Sequence, residues 1–475
     1  MTLLGTGTHV LVFPFPAQGH MIPLLDFTHK LALQGLTITI LVTPRNLPLL
    51  NPLLSTHPSI KTLILPFPPH PSIPPGIENA KDMSTNSFVP LKHALSQLRE
   101  PLLTWFRSHP SPPVAIISDI FFGWTHHLAC QLSIRRICFS PSGVMAVSAI
   151  FCLWRDMVKN DDPGNQNTVV SFPRIPNCPK YPWWQLSQIY RSYVEADPVS
   201  EFIRDGYYAN MASWGLVFNS FSELESVYLD YLKNEMGHNR VWAVGPVLPI
   251  SDNLSRPIER GGSSSVSHDH VASWLDTCDD ETVVYVCFGS QAVLTNDQME
   301  RVASGLEQSG AHFMWSVKEP TKFHVADKYG KVPSRFEDRV AGRGRVIKGW
   351  VPQVSILSHR AIGSFLTHCG WNSILEGLMA GVTMLTWPMG ADQFLNATLL
   401  VDELKVAKRV CEGSGNLPDS DELARLIAES VSEKGSIERK RRAMELSKAA
   451  LEAVKEGGSS ARDLDELVNL LAALE

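Results

Sequence analysis

The sequence predicts an α/β protein made of two units, each built on a parallel sheet, and three observations predict it. Its 475 residues exceed the roughly 100–200 that one ordinary core carries. Short β-rich runs alternate with longer helical patterns in both halves, and strand–helix–strand alternation implies parallel sheets covered on both faces. Between the halves, Leu248 to His270 is rich in Ser, Gly, Asp and Arg, contains Gly261-Gly262-Ser263-Ser264-Ser265, and has little apolar periodicity, as a linker would.

The elements follow in chain order. His9 to Phe15 (HVLVFPF) reads as a buried strand, Met21 to Leu33 as a helix with Leu24, Leu25, Thr28 and Leu31 on one stripe, and Leu36 to Val42 and Val114 to Ser118 as further strands. Beyond the linker, Thr282 to Phe288, Phe313 to Val317, Arg345 to Lys348, Ile362 to Leu366, Val382 to Thr386 and Val406 to Val410 are strand candidates. Of 33 prolines, 27 precede residue 251. The first half should therefore carry long irregular loops, such as Pro66 to Gly76 and Pro173 to Pro182, and the second should be more regular. No internal repeat with a fixed period of about 20–50 residues is visible.

Composition excludes several classes. A 44% apolar and 19% charged chain is neither disordered nor collagen-like. A net charge of −6 leaves no basic footprint for nucleic acid. The longest nearly apolar run, Gly143 to Trp154, falls short of the roughly 20 residues that span a bilayer. Met1 to His9 has no basic segment or small-residue cleavage site, so a cytoplasmic protein is expected. Eight scattered cysteines without CxxC spacing read as buried free thiols. The basic stretch Arg439 to Arg442, flanked by Glu433, Glu438 and Glu445, reads as a solvated helix face. Asp419-Ser420-Asp421 reads as a helix cap rather than a metal site.

In open α/β sheets ligands sit beyond the carboxyl ends of strands. The richest such region runs from Trp350 to Gln393. The strand Ile362 to Leu366 leads into Thr367-His368-Cys369-Gly370, and a helix then opens at Trp371-Asn372-Ser373. Gly370 admits close backbone approach, and the helix start offers free N–H groups and a positive dipole end to an anion. Glu376 lies one turn below Asn372 on the same face, suited to ribose hydroxyls rather than phosphate. Trp350 offers a flat face for a base. Asp392 and Gln393, after another strand, suit sugar hydroxyls. Each alone has a plainer reading, as core, cap or solvated face. Together they look built for a nucleoside diphosphate.

In the first half, His20 follows the first strand through Pro16-Ala17-Gln18-Gly19 and opens the next helix, with Pro23 in its first turn. A helix amino terminus disfavours an imidazolium, so His20 should be neutral. Asp119 ends the strand Val114 to Ser118, so both can lie at one sheet edge, where a carboxylate would orient the ring. Asp119 could also simply cap a helix.

The 44 residues from Trp350 to Gln393 resemble the signature of plant secondary-product glycosyltransferases: WVPQ, SFLTHCGWNS, the Glu of ILEG, and TWP followed by ADQ. PFPAQGH near the amino terminus and YVCFGS at Tyr285 to Ser290 fit the plant family-one UDP-sugar glycosyltransferases too, so the resemblance covers essentially the whole chain. It implies the GT-B fold, two Rossmann-like domains facing across a cleft. The expected division is an acceptor-binding domain at 1–247, a linker at 248–270, a UDP-sugar-binding domain at 271–456, and a final helix at 457–475 crossing back to the first domain.

The resemblance also implies roles. Trp350 stacks the uracil, with Val351 and Gln353 beside the nucleoside. Glu376 holds the ribose. Ser290, His368, Gly370, Asn372 and Ser373 surround the diphosphate, and Trp371, Asp392 and Gln393 contact the sugar. Gln393 favours glucose. His20 and Asp119 fall at the family's catalytic dyad. No metal or cofactor is implied, because the UDP-sugar is a co-substrate. Thr383 and Met389-Gly390 depart from the common pattern on the acceptor side. Phe15, Phe88, Phe121, Trp124, Met145, Trp183, Trp184 and Met389 are candidate pocket walls. Ser142 is a candidate sugar-side contact, because Pro141 has no N–H. Aromatic walls suit flat phenols, and the signature resembles relatives acting on flavonols and hydroxybenzoates.

The expected function is inverting transfer of glucose from UDP-glucose to a hydroxyl of a small phenolic plant metabolite, by a monomer. Alternatives are another UDP-sugar (rhamnose, xylose or galactose) or a non-catalytic nucleotide-sugar binder. GxGxxG after a strand, GxxxxGK[ST] and GxSxG are all absent, which argues against a dinucleotide oxidoreductase, a P-loop kinase and a serine hydrolase.

Overall fold

A computed structural model describes residues 7–83, 88–248, 260, 262, 264–321, 324 and 328–474, without the side chains of 433–436. The chain divides into two compact units, Met1–Pro249 with Glu452–Glu475, and Ile250–Leu451. Most of the sequence-predicted linker lies outside the described residues.

The first unit holds a seven-stranded sheet of β1 (His9–Phe13), β2 (Thr37–Val42), β3 (Lys61–Ile64), β4 (Ala115–Asp119), β5 (Arg135–Ser140), β8 (Gly215–Phe218) and β9 (Val241–Ala243). The order is β3-β2-β1-β4-β5-β8-β9, with every pairing parallel. A short antiparallel hairpin, β6 (Val169–Ser171) and β7 (Lys180–Pro182), stands apart from it. In β1 and β4 every residue is buried. Continuous apolar runs of that kind are what helices on both faces of a parallel sheet require.

The second unit repeats the plan with six parallel strands: β10 (Val283–Cys287), β11 (His312–Val317), β12 (Gly344–Lys348), β13 (Ile362–Thr367), β14 (Thr383–Thr386) and β15 (Ala407–Arg409). Their order is β12-β11-β10-β13-β14-β15. Each sheet therefore reverses its strand order at one place, between β1 and β4 and between β10 and β13. A crevice opens at such a switch point beyond the carboxyl ends of the strands.

The helix Ser459–Ala472 packs on the first unit, with Leu464, Leu467, Val468 and Leu471 in one core with Val10, Ile38 and Trp242. The Ala243 amide donates to Asp463 Oδ2 at 2.7 Å, and Ser460 Oγ donates to the Gly245 carbonyl.

Several sequence expectations need adjustment. The first helix spans Gln18–Leu33, so His20 is its third residue rather than its opening one. Gly19 needs no left-handed backbone there, so the helix winds back through the turn. The strand read at 406–410 shortens to Ala407–Arg409. The stretch 173–182 is less irregular than its prolines suggest, because it ends in β7. Asp419 does cap a helix, its Oδ1 accepting from the amides of Asp421 and Glu422. Within the 439–442 stretch, Arg441 pairs with Glu438 and Glu445, and Arg442 pairs with Glu438. All eight cysteines are unpaired.

Candidate active site

Both switch points carry the residues the sequence singles out. In the first unit, β1 delivers the chain to the helix bearing His20, and β4 ends on Asp119. His20 Nδ1 lies 2.8 Å from Asp119 Oδ2, with the histidine side chain 17% exposed and the aspartate fully buried. The other carboxylate oxygen accepts the Phe121 amide at 2.8 Å, so the aspartate caps a short turn while it holds the imidazole. An ionised carboxylate only accepts. The ring therefore donates from Nδ1, and in the neutral imidazole that tautomer leaves the lone pair on Nε2.

Aromatic rings surround His20. Phe121 lies 4.5 Å and Phe15 5.4 Å from its ring by centroid, and Phe88 lies 5.9 Å from Phe15 and 6.0 Å from Phe121. Three of the predicted walls thus gather at the candidate base. Trp124 lies in the same cluster, packed against Phe13 and Phe122. Met145 is equally buried. Trp183 and Trp184 belong with the hairpin, their amides donating to the carbonyls of Thr168 and Gln166. Ser142 donates its amide to Ser140 Oγ at 3.2 Å, which fixes the loop before the helix Val144–Asp156.

Three buried charges escaped the sequence reading. Arg136, 1% exposed, donates to Ser118 Oγ, Asn210 Oδ1, Ser213 Oγ and the Asp119 carbonyl. Glu225 accepts the amides of Val144 and Met145 at 3.0 and 2.9 Å, taking orphan donors at a helix start. Lys92 is 2% exposed.

In the second unit, β10 leads to Gly289 and Ser290, and β13 leads to His368. The His368 ring is wedged between two glycines: a Cβ at Gly289 would sit 2.5 Å from it and one at Gly370 2.4 Å. Gly289 also adopts a positive φ of 75°. Cys369 and Ala391 take left-handed φ angles of 65° and 54° without being glycine. Such backbone tends to cluster at ligand sites. Burial pushes the His368 imidazole down to about 4, so the ring is neutral near pH 7. Its Nδ1 is buried and finds no hydrogen-bond partner among the described residues.

Beside it the helix Trp371–Met379 begins. Gln353 Nε2 donates to Ser373 Oγ at 3.0 Å and to Glu376 Oε2 at 2.7 Å, and its Oε1 accepts from the Tyr285 hydroxyl at 3.1 Å. Glu376 Oε1 takes Arg260 Nη1 at 2.7 Å, while Trp350 Nε1 donates to the Arg260 carbonyl at 3.0 Å. Arg260 was read only as linker, a stretch with no pattern to single it out. Gln393 Oε1 accepts the amides of Met389 and Gly390, and Asp392 Oδ2 accepts from Asn396. Trp371 and Val351 are buried. Tyr285, Gln353, Ser373, Glu376, Arg260 and Trp350 thus form one polar network beyond the carboxyl ends of these strands. Among the described residues no three His, Cys, Asp or Glu side chains group as a metal-ligand set. No described helix is long and apolar enough to cross a membrane.

Two α/β units, each with polar residues beyond the carboxyl ends of its strands, have the architecture of the GT-B fold. Comparison with known proteins makes the assignment. The family model for a glycosyltransferase amino-terminal domain matches residues 7–249, and that for UDP-glucoronosyl and UDP-glucosyl transferase matches 266–411. UDP-glycosyltransferase 89B2 of Stevia rebaudiana is 61% identical over 99% of both chains. Flavonol 3-O-glucosyltransferase UGT89B1 of Arabidopsis thaliana is 56% identical over 99% of this chain and 97% of its own. The crystal structure of Arabidopsis thaliana UGT89C1 with UDP-L-rhamnose superimposes with a TM-score of 0.81 at 40% identity, covering 98% of this chain and 99% of that one. The same protein is also known complexed with quercetin. The chain belongs to the plant family-one UDP-glycosyltransferases, enzymes that transfer sugar from a UDP-sugar donor.

Proposed function

We propose that this UDP-glycosyltransferase transfers glucose from UDP-glucose, with inversion, to a hydroxyl of a flavonol or similar small phenol in the cytoplasm, without a metal. The observation that carries the chemistry is the 2.8 Å bond between His20 Nδ1 and the fully buried Asp119, which leaves His20 Nε2 to accept a proton. His20 takes the proton of the acceptor hydroxyl, the oxygen attacks the anomeric carbon opposite UDP, and Asp119 stabilises the imidazolium that forms. A UDP-α-sugar then gives a β-glycoside. On the donor, Trp350, Val351 and Gln353 hold the nucleoside and Glu376 the ribose. Ser290, neutral His368, Gly370, Asn372 and Ser373, with the start of the helix Trp371–Met379, take the charge of the departing diphosphate. Trp371, Asp392 and Gln393 hold the sugar.

Glucose is favoured by Gln393 and by the 56% identical relative named a flavonol 3-O-glucosyltransferase; the relative seen with UDP-L-rhamnose is 40% identical. The aromatic cluster of Phe15, Phe88 and Phe121 at the base supports a flat phenolic acceptor. Eight unpaired thiols support a reducing compartment. The test offers a panel of UDP-glucose, UDP-rhamnose, UDP-xylose and UDP-galactose with flavonols and hydroxybenzoates, read by mass. A gain of one hexose, fastest with UDP-glucose and a flavonol, is expected. Faster transfer from UDP-rhamnose overturns the donor, and nucleotide binding without turnover overturns the enzyme.

A further inference from the structure

A buried amine lies beside the dyad and has no role in the reaction as derived. Phe88 and Lys92 stand one turn apart on the helix Phe88–Ser96 and so share a face. The Lys92 ammonium sits 3.4 Å from the centroid of the Phe121 ring and 5.4 Å from that of Tyr207. That contact ties it to the dyad, since the Phe121 amide donates to Asp119 Oδ1 and its ring lies 4.5 Å from that of His20. Burying a lysine without a paired carboxylate is costly. A face-on aromatic ring recovers part of that cost, and the Asp119 charge more of it. Burial pushes Lys92 down to about 7, and Asp119 opposes the shift.

On the helix Pro198–Met211 the Tyr207 hydroxyl is pushed far up by burial and stays neutral, while Arg204 is paired with Glu201. From β5, burial raises the Cys138 thiol to about 11, and Arg136 bonds the Asp119 carbonyl. On its own helix, His93 bonds His70 at 3.3 Å.

We propose that Lys92 is a positioning residue for the general base: its ammonium, seated on Phe121 beside Asp119, offsets part of the carboxylate's pull on a proton at His20 and so widens the pH range in which His20 can take one from the acceptor. The inference rests on His20 being the base. A like charge within about 10 Å, at an effective dielectric of about 20, shifts a titration by about one pH unit. Lys92 carries its charge below about 7.

The test is the pH profile of kcat/KM for wild type, Lys92→Met and Lys92→Arg, each normalised to its own plateau. Lys92→Met should move the acidic limb up by about one unit, and Lys92→Arg should leave it in place. An unmoved limb in Lys92→Met, or the same shift in Lys92→Arg, overturns the proposal. A reading that leaves position 92 intact uses 13Cε-lysine-labelled protein. One lysine should titrate near neutral pH and titrate lower in Asp119→Asn; the lack of such a signal overturns the proposal equally. Full activity in His20→Ala would instead overturn the general-base reading, a separate outcome.

Discussion

Asp119→Asn isolates the most specific electrostatic element of the site. The substitution keeps the side-chain volume, and an amide oxygen can still accept from the Phe121 amide as Oδ1 does at 2.8 Å. What disappears is the negative charge 2.8 Å from His20 Nδ1. Two unit charges about 4 Å apart at an effective dielectric of about 20 interact by about 4 kcal/mol. That stabilisation is absent while the ring is neutral and grows as it takes the proton, so it falls mainly on the transition state. Its loss corresponds to about three decades in kcat. An Asn amide facing the ring also favours the tautomer that carries its proton on Nε2, where the acceptor must be deprotonated. The assay is UDP release under saturating donor and acceptor, with UDP affinity measured separately by calorimetry. Unchanged UDP binding with kcat reduced by about a thousandfold is expected. The double variant with His20→Ala should be little worse than His20→Ala alone, since the two act as a unit. A kcat within about threefold of wild type, or fully additive losses, would refute the orienting role.

Three further outcomes test the donor side. His368 is held near 4 against an ordinary 6.5, so the unfolded chain binds its proton first; stability falls as pH drops from about 6.5 to about 4, by about 2 kcal/mol between pH 7 and 5. Urea unfolding of His368→Asn should lack that component, and equal pH dependence in both proteins would contradict the burial argument. In Arg260→Ala, Glu376 loses the guanidinium now 2.7 Å away. Ribose hydroxyls then no longer compete with it, and UDP should bind about fivefold tighter or more by calorimetry; unchanged or weaker binding counts against that exchange. Gly370→Ala drives a methyl to within 2.4 Å of the His368 ring. UDP affinity should drop by more than tenfold while the protein remains folded by circular dichroism, and wild-type affinity would show that the ring gives way freely.

Much of the site was legible because strand ends are legible. The buried run HVLVF and the acidic end of AIISD mark where β1 and β4 stop, and the reversal of strand order puts those two stops side by side. The same holds for β10 and β13, which bring Ser290 and His368 to the second switch point. The starting residue of the first helix was missed because Gly19 reads as turn, although nothing about it forbids helical backbone. Arg260 was invisible because a linker has no period to depart from. Lys92, Arg136 and Glu225 were missed because no motif marks them, and only tertiary contacts show their side chains turned inward. Aromatic residues were ambiguous in kind, since an indole fills a core as readily as a pocket; Trp124 went to the core and Phe121 to His20.

The closing helix also sets an order of events during synthesis. Leu464, Leu467, Val468 and Leu471 belong to a core that begins at Val10, yet they leave the ribosome only after Ile250–Leu451. At about 5–20 residues per second that interval lasts about 10–40 s. Throughout it, the nascent amino-terminal unit presents an apolar seat with no occupant. A nonsense mutation just before Ser459 would make that state permanent, giving a chain that retains His20, Asp119 and the whole donor signature yet is a ready substrate for chaperones and proteases.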